Sequence, residues 1–181
     1  WSLFYGVGYC QAEDQLENLY VNLLRGQGRA AEREGFNQMI FDHLMRLLEV
    51  PQRAKDAYGV LTDEEREHLD AFAAGVNSYI EKNRAQVPDW ITPIEPHHIV
   101  GFAMYVDTMF CISHCRDDLS RAGIKLVELD SLDRDRESAF GSNQFAISPK
   151  LPASGSAQLS MDPHLPHSGF FRWYEMHLVS P

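Results

Sequence analysis

Gly141-Ser142-Asn143-Gln144-Phe145, followed downstream by Asp162-Pro163-His164, marks where the character of this chain changes. Before about Phe140 the apolar residues recur three and four apart; after it they alternate. Phe145 and Ile147, then Leu159 and Met161, alternate with smaller or polar residues, and Pro149, Pro152, Ser154 and Gly155 between them are turn formers. A β-hairpin is expected. Its first strand opens at Ser142 and its second ends at His164, so an antiparallel return brings these two residues together. The run Phe170 to Val179 alternates again and predicts a third strand.

Upstream, Leu16, Leu19, Tyr20, Leu23 and Leu24 keep a helical period from Ala12 to about Gly26. Gly6 and Gly8 before that helix suit either tight backbone packing or a turn. Phe36, Met39, Ile40, His43, Leu44, Leu47 and Leu48 predict a second helix ended by Pro51, with His43 packed on its apolar side. Thr62 followed by Glu65 is a capping box, and Leu69, Phe72, Ala73, Val76, Tyr79 and Ile80 mark the buried stripe of a third helix to about Asn83. A turn-rich connector, Pro88 to Pro96, leads to another helix over about His98 to Phe110. The mixed charges from Asp117 to Glu137 read as a solvated helix and a surface loop. Helices first and antiparallel strands afterwards make the fold class α+β.

Composition excludes several functions. A net charge of −10, with sixteen Lys and Arg scattered along 181 residues, offers no clustered basic face for nucleic acid or an anionic membrane surface. No apolar run approaches the roughly 20 residues of a membrane span. The start on Trp1 without an initiator methionine is read as the mark of a processed piece or an excerpt, and no signal peptide opens this segment. Three cysteines, Cys10, Cys111 and Cys115, leave at least one unpaired within the segment. Cys111 and Cys115 flank His114 at helical spacing, yet small buried thiols are commoner than ligands, and no metal site is assigned. Glu95, His97 and His98 are read as a helix start, because adjacent histidines on a helix point about 100° apart and do not share one ion.

A small residue followed by a hydroxyl and a short apolar run is what a chain needs to cut itself and expose a new amino terminus. A serine hydroxyl is a weak nucleophile, and an N-terminal amine on the same residue supplies its base. Taken alone, Gly141-Ser142-Asn143 is equally a turn before a strand. The wider sequence supports the sharper reading. Gly141-Ser142-Asn143, the Ser154-Gly155 turn, Asp162-Pro163-His164-Leu165-Pro166 and Arg172-Trp173-Tyr174-Glu175-Met176-His177-Leu178 together resemble the start of the β-chain in the penicillin acylase family of N-terminal nucleophile hydrolases. Within that family they are most similar to acyl-homoserine lactone acylases and aculeacin-type lipopeptide acylases. Gly6-Val7-Gly8-Tyr9-Cys10-Gln11-Ala12-Glu13-Asp14-Gln15-Leu16 and Ala73-Ala74-Gly75-Val76-Asn77-Ser78-Tyr79-Ile80 resemble motifs of the α-chain, in the family's order.

The resemblance implies an amide hydrolase matured by autoproteolysis between Gly141 and Ser142. Residues 1–141 would be the mainly helical α-chain with its spacer, and 142–181 the first strands of the catalytic β-chain. Both are parts of one αββα sandwich domain, incomplete at both ends. Ser142 would be the nucleophile and, through its α-amino group, its own base; His164 would assist it. A histidine there favours the lactone, lipopeptide and cephalosporin branches over penicillin G acylases, which usually carry glutamine. Met109 and Phe110, in the helix that shapes the acyl pocket in relatives, and Leu165, beside the histidine, are candidate substrate-binding residues, with ordinary core packing the competing reading of each. The oxyanion-hole donors would lie beyond Pro181, so the segment by itself is expected to be inactive.

No cofactor is implied as required. A structural calcium occurs in some relatives, but Asp117 and Asp118 match its ligands only loosely, and the site is not carried over. The implied substrate is a small acyl amide, the implied partner the chain's own downstream β-chain, and the implied location periplasmic or secreted. A penicillin or cephalosporin acylase, and a non-catalytic acyl-binding relative, are the alternatives.

Overall fold

A computed structural model describes residues 1–124, 141–165, 169 and 172–179. It divides into two compact units, Trp1–Leu126 with His177–Pro181, and Val127–Met176. In the first, the helices are α1 (Ser2–Gly26), α2 (Ala31–Glu34), α3 (Met39–Leu47), α4 (Val50–Val60), α5 (Asp63–Lys82) and α6 (Pro96–Arg121), with a 3-10 turn at Phe36–Gln38 before α3. The second holds an antiparallel pair, β1 (Gly141–Ile147) and β2 (Gln158–His164). Helices followed by antiparallel strands bear out the α+β class.

The core of the helical unit lies between α1, α5 and the connector before α6. Ala12, Tyr20, Leu23 and Leu24 of α1 meet Ala73, Val76 and Ile80 of α5, with Val87, Ile91 and Ile94 closing the cluster. The α5 start is the capping box read from sequence: Thr62 accepts from the Glu65 N–H, and the Glu65 carboxylate accepts from the Thr62 N–H at 2.8 Å. Helix α1 starts ten residues earlier than its apolar period suggested, and Gln15 leaves helical geometry near the expected start. Gly6 and Gly8 are therefore inside a helix, and at Gly8 the purpose is close approach. A Cβ there would lie 2.9 Å from the Phe72 carbonyl carbon and closer still to its oxygen. Gly75 does the same from α5, where a Cβ would fall 2.8 Å from the Tyr9 nitrogen.

Asn77 straps the connector down. Its amide donates to the Ile94 carbonyl at 2.9 Å and accepts from the Ile94 N–H at 2.7 Å, closing a two-bond clamp. Arg84 adds a bond to the Ile91 carbonyl at 2.7 Å, and the Tyr20 hydroxyl meets Thr92 Oγ1 at 2.8 Å. An irregular segment thereby satisfies its backbone without a sheet or helix of its own.

Helix α3 departs from its sequence pattern. The stripe expected inside is largely outside: Phe36 is 82% exposed and Leu47 68%, with Met39, Ile40, Leu48 and His43 also exposed. Asp42 and Met45 are buried instead. The Asp42 carboxylate accepts from the Ala30 N–H at 2.9 Å and the Ala31 N–H at 2.8 Å, and that pair of bonds sets the rotation of the helix about its axis. His43 is consequently a surface residue and not the packed one its period suggested.

Pro51 also acts differently from expectation. The chain leaves α3 at Leu47, turns through Glu49 at a positive φ of 58°, and starts α4 with Pro51 in the first turn, where a missing N–H costs nothing. The helix expected over 98–110 begins at Pro96 and continues to Arg121, so α6 absorbs the helical part of the charged run; residues 125–137 of that run lie outside the described residues. Met109 and Phe110 sit on α6.

The third strand expected at 170–179 is absent among the described residues: 172–179 have no regular secondary structure. Trp173, Met176, Leu178 and Val179 are exposed there. Alternation makes a segment able to pair, but a strand also needs a neighbour to take its N–H and C=O groups.

Candidate active site

The β1–β2 register puts Gly141 opposite His164, Ser142 opposite Pro163, Asn143 opposite Asp162 and Phe145 opposite Ser160. The backbones of Ser142 and His164 are thus adjacent, one step apart along the ladder. Side chains alternate across the sheet with a period of two, and directly paired residues share a face. Asn143, Asp162 and His164 therefore stand on one face, while Ser142 stands on the other with Pro163.

The three residues on the shared face are in contact. His164 Nε2 lies 2.8 Å from Asp162 Oδ2 and 3.3 Å from Asn143 Nδ2. All of this is open to solvent, His164 being about half exposed. Asp162 and Asn143 stand in the quoted motifs, yet sequence reasoning assigned them no role. The signal was available in the spacing: Asp162 and His164 are two apart in a strand, and so point the same way.

The candidate substrate-binding residues belong to different units. Leu165 follows β2 directly and is partly buried, whereas Met109 and Phe110 belong to the helical unit. Among the described residues, a cleft opens between the middle of α1 and Val87 and another among Arg29, Lys55, His97 and His98; neither of these is lined by Met109 or Phe110. Cys10, Cys111 and Cys115 are exposed free thiols. Among the described residues, no group of three or more His, Cys, Asp or Glu is placed to hold a metal ion, and no helix is long and apolar enough to cross a membrane.

Comparison with known proteins gives the family. The penicillin amidase family profile matches residues 2–181. The acyl-homoserine lactone acylase QuiP of Pseudomonas syringae pv. syringae is 32% identical over 82 residues, which is 45% of this chain and 10% of that protein. The penicillin G acylase of Escherichia coli is 33% identical over 82 residues, with the same coverage. The acyl-homoserine lactone acylase PvdQ of P. syringae pv. syringae is 27% identical over 208 residues, 99% of this chain and 27% of that protein. The chain therefore spans between about a tenth and a quarter of the curated relatives it matches. With a family match running over nearly its whole length, the chain belongs to the penicillin amidase family.

Proposed function

We propose that this chain contributes the nucleophile and its helper to an acylase that removes a fatty-acyl group from acyl-homoserine lactones or lipopeptides. The observation that carries this reading is the register that sets the Gly141–Ser142 peptide against Pro163–His164. In maturation, Ser142 Oγ attacks the Gly141 carbonyl carbon and the Gly141–Ser142 C–N bond breaks. The resulting ester is hydrolysed by water, leaving a carboxylate on Gly141 and a free amine on Ser142. In turnover, Ser142 Oγ attacks the substrate amide and passes its proton to the α-amino group, which delivers it to the departing amine; water then releases the fatty acid. His164 assists the serine, and Met109, Phe110 and Leu165 line the acyl pocket.

Residues 1–141 form the α-chain region and 142–181 the first strands of the β-chain, within an αββα sandwich. The hairpin supports that architecture. Phe145 and Ile147 face one side while Leu159 and Met161, by the register, face the other, and all four are exposed in this segment. A sheet apolar on both faces is one destined to be covered on both. The rest of the β-chain is the natural partner, no cofactor is required, and the enzyme is periplasmic or secreted.

Intact-mass measurement of the full-length protein and its Ser142→Ala and Gly141→Pro variants tests the reading. Wild type is expected to split before Ser142 and the variants to stay whole; a wild type that never splits there ends it. The match to a penicillin G acylase supports a second reading, hydrolysis of β-lactam side chains. Turnover of phenylacetyl or glutaryl β-lactams faster than that of long-chain homoserine lactones would select it.

A further inference from the structure

On the hairpin, one cluster of polar side chains has a chemistry that a nucleophile and its helper do not absorb. His164 Nε2 faces the Asp162 carboxylate at 2.8 Å and the Asn143 amide nitrogen at 3.3 Å. A single ring nitrogen either carries a proton or offers a lone pair, so it cannot satisfy both groups at once. A carboxylate only accepts. For the 2.8 Å contact to be a hydrogen bond, Nε2 must carry the proton, and the longer contact to a neutral amide is the weaker competitor. Asn143 then adapts by turning its amide oxygen toward the ring, an exchange of two nearly isosteric groups.

We infer that Asp162 is a positioning residue that holds His164 as its Nε2–H tautomer and so leaves Nδ1 as the nitrogen free to serve Ser142. The inference rests on the proposed assistance of Ser142 by His164, and it adds which nitrogen acts and what fixes it. Three features support it. Asp162 and His164 are two apart on β2, so the strand itself places both side chains on one face. Asn143, the register partner of Asp162, stands beside the ring with its amide nitrogen 3.3 Å from Nε2. Among the described residues the Asp162 carboxylate pairs with His164 Nε2 and with no Lys or Arg.

An imidazole whose one nitrogen is held by a carboxylate has its tautomer selected without the carboxylate itself taking the proton. Here the pair is open to solvent, and its effect is expected to be smaller than in a buried triad. Loss of Asp162 is predicted to lower kcat about 10- to 100-fold with KM little changed, against about 10⁴-fold for a buried orienting carboxylate.

The test reads the tautomer directly and does not depend on turnover. Long-range ¹H–¹⁵N spectra of the full-length protein, labelled at histidine nitrogen, identify His164 by its loss in His164→Gln. Wild type is expected to show the Nε2–H form predominating. Asp162→Ala is expected to give mixed tautomers, the shape-preserving Asp162→Asn a weaker bias, and Asp162→Glu partial recovery. An unchanged tautomer in Asp162→Ala and Asp162→Asn overturns the inference, as does an Nδ1–H form in wild type. A tautomer change in a protein that hydrolyses no acyl amide supports the positioning and removes the acylase reading, so the two fail separately.

Discussion

Gly141 is the direct register partner of His164, and Ser142 is the partner of Pro163. The bond proposed for cleavage is thus held inside a paired strand, with the Ser142 side chain on the face away from the imidazole. While that strand is continuous, the pleat sets Ser142 Oγ and the His164 ring on opposite faces. Cutting frees Ser142 from the alternation, because its nitrogen no longer belongs to a peptide. The expected outcome for His164→Ala is therefore a full-length protein that still splits before Ser142 but turns over acyl amides about 10²- to 10⁴-fold more slowly. Intact mass reads the first and steady-state kinetics the second; an uncut variant would show that the imidazole acts in maturation.

Two glycines on one helix are expected to respond in opposite ways. Gly8 and its counterpart Gly75 sit where a Cβ would enter the neighbouring helix backbone, so Gly8→Ala and Gly75→Ala each force α1 and α5 apart, at a cost of roughly 1–3 kcal/mol. Gly6, also inside α1, has nothing within 4 Å of where an alanine methyl would stand. Gly6→Ala is expected to stabilise by about 0.5–1 kcal/mol through helix propensity alone. Urea denaturation of the three variants decides, and destabilisation by all three would refute the close-approach argument.

Asp42 is the acceptor for two backbone N–H groups at the start of α2. Asp42→Ala leaves both donors without a partner, and an unsatisfied buried donor costs more than the bond contributed, so a loss of about 2–4 kcal/mol is expected. Asp42→Asn keeps one acceptor oxygen and is expected to lose about half as much. Equal effects of the two substitutions would mean that packing of the side chain, and not its bonds, holds α3 in place.

His98 makes the helical unit sensitive to acid. Burial, with His97, Lys55 and Arg29 adding positive charge, lowers its pKa from 6.5 to about 4, and its Nδ1 accepts the Glu95 N–H at 3.1 Å. Protonation would abolish that acceptor at the start of α6. Between about pH 4 and 6.5 the unfolded chain binds a proton that the folded chain does not, so stability rises with pH across this window and is lost as pH falls through it. The contribution is on the order of 1 kcal/mol once discounted for the solvent that reaches the ring. Melting temperatures at pH 4.5 and 7 are expected to converge in His98→Gln relative to wild type.

Where the deciding interaction is local, the amino-acid order was enough to say which elements exist. The Thr62–Glu65 box closes within three residues, the α1 and α5 stripes recur within a turn, and the alternation at 145–147 and 158–161 with turn formers between specifies a hairpin. The juxtaposition of Ser142 and His164 along the backbone was readable for the same reason, since a hairpin fixes its own pairing.

Which faces those elements use was settled by contacts between distant segments. Asp42 turns α3 against its own apolar period because the donors it serves, Ala30 and Ala31, come from another segment. Gly75 and Asn77, in the motif that resembles the α-chain, are explained by Tyr5, Tyr9 and Ile94, none of which is near them in sequence. Residues 172–179 alternate like a strand, yet pairing depends on a neighbour that alternation cannot supply. Which side of the sheet Ser142 occupies follows from register, where a one-residue step exchanges the faces. Periodicity is a property of a segment and burial a property of two, and the candidate site lies at the point where they meet.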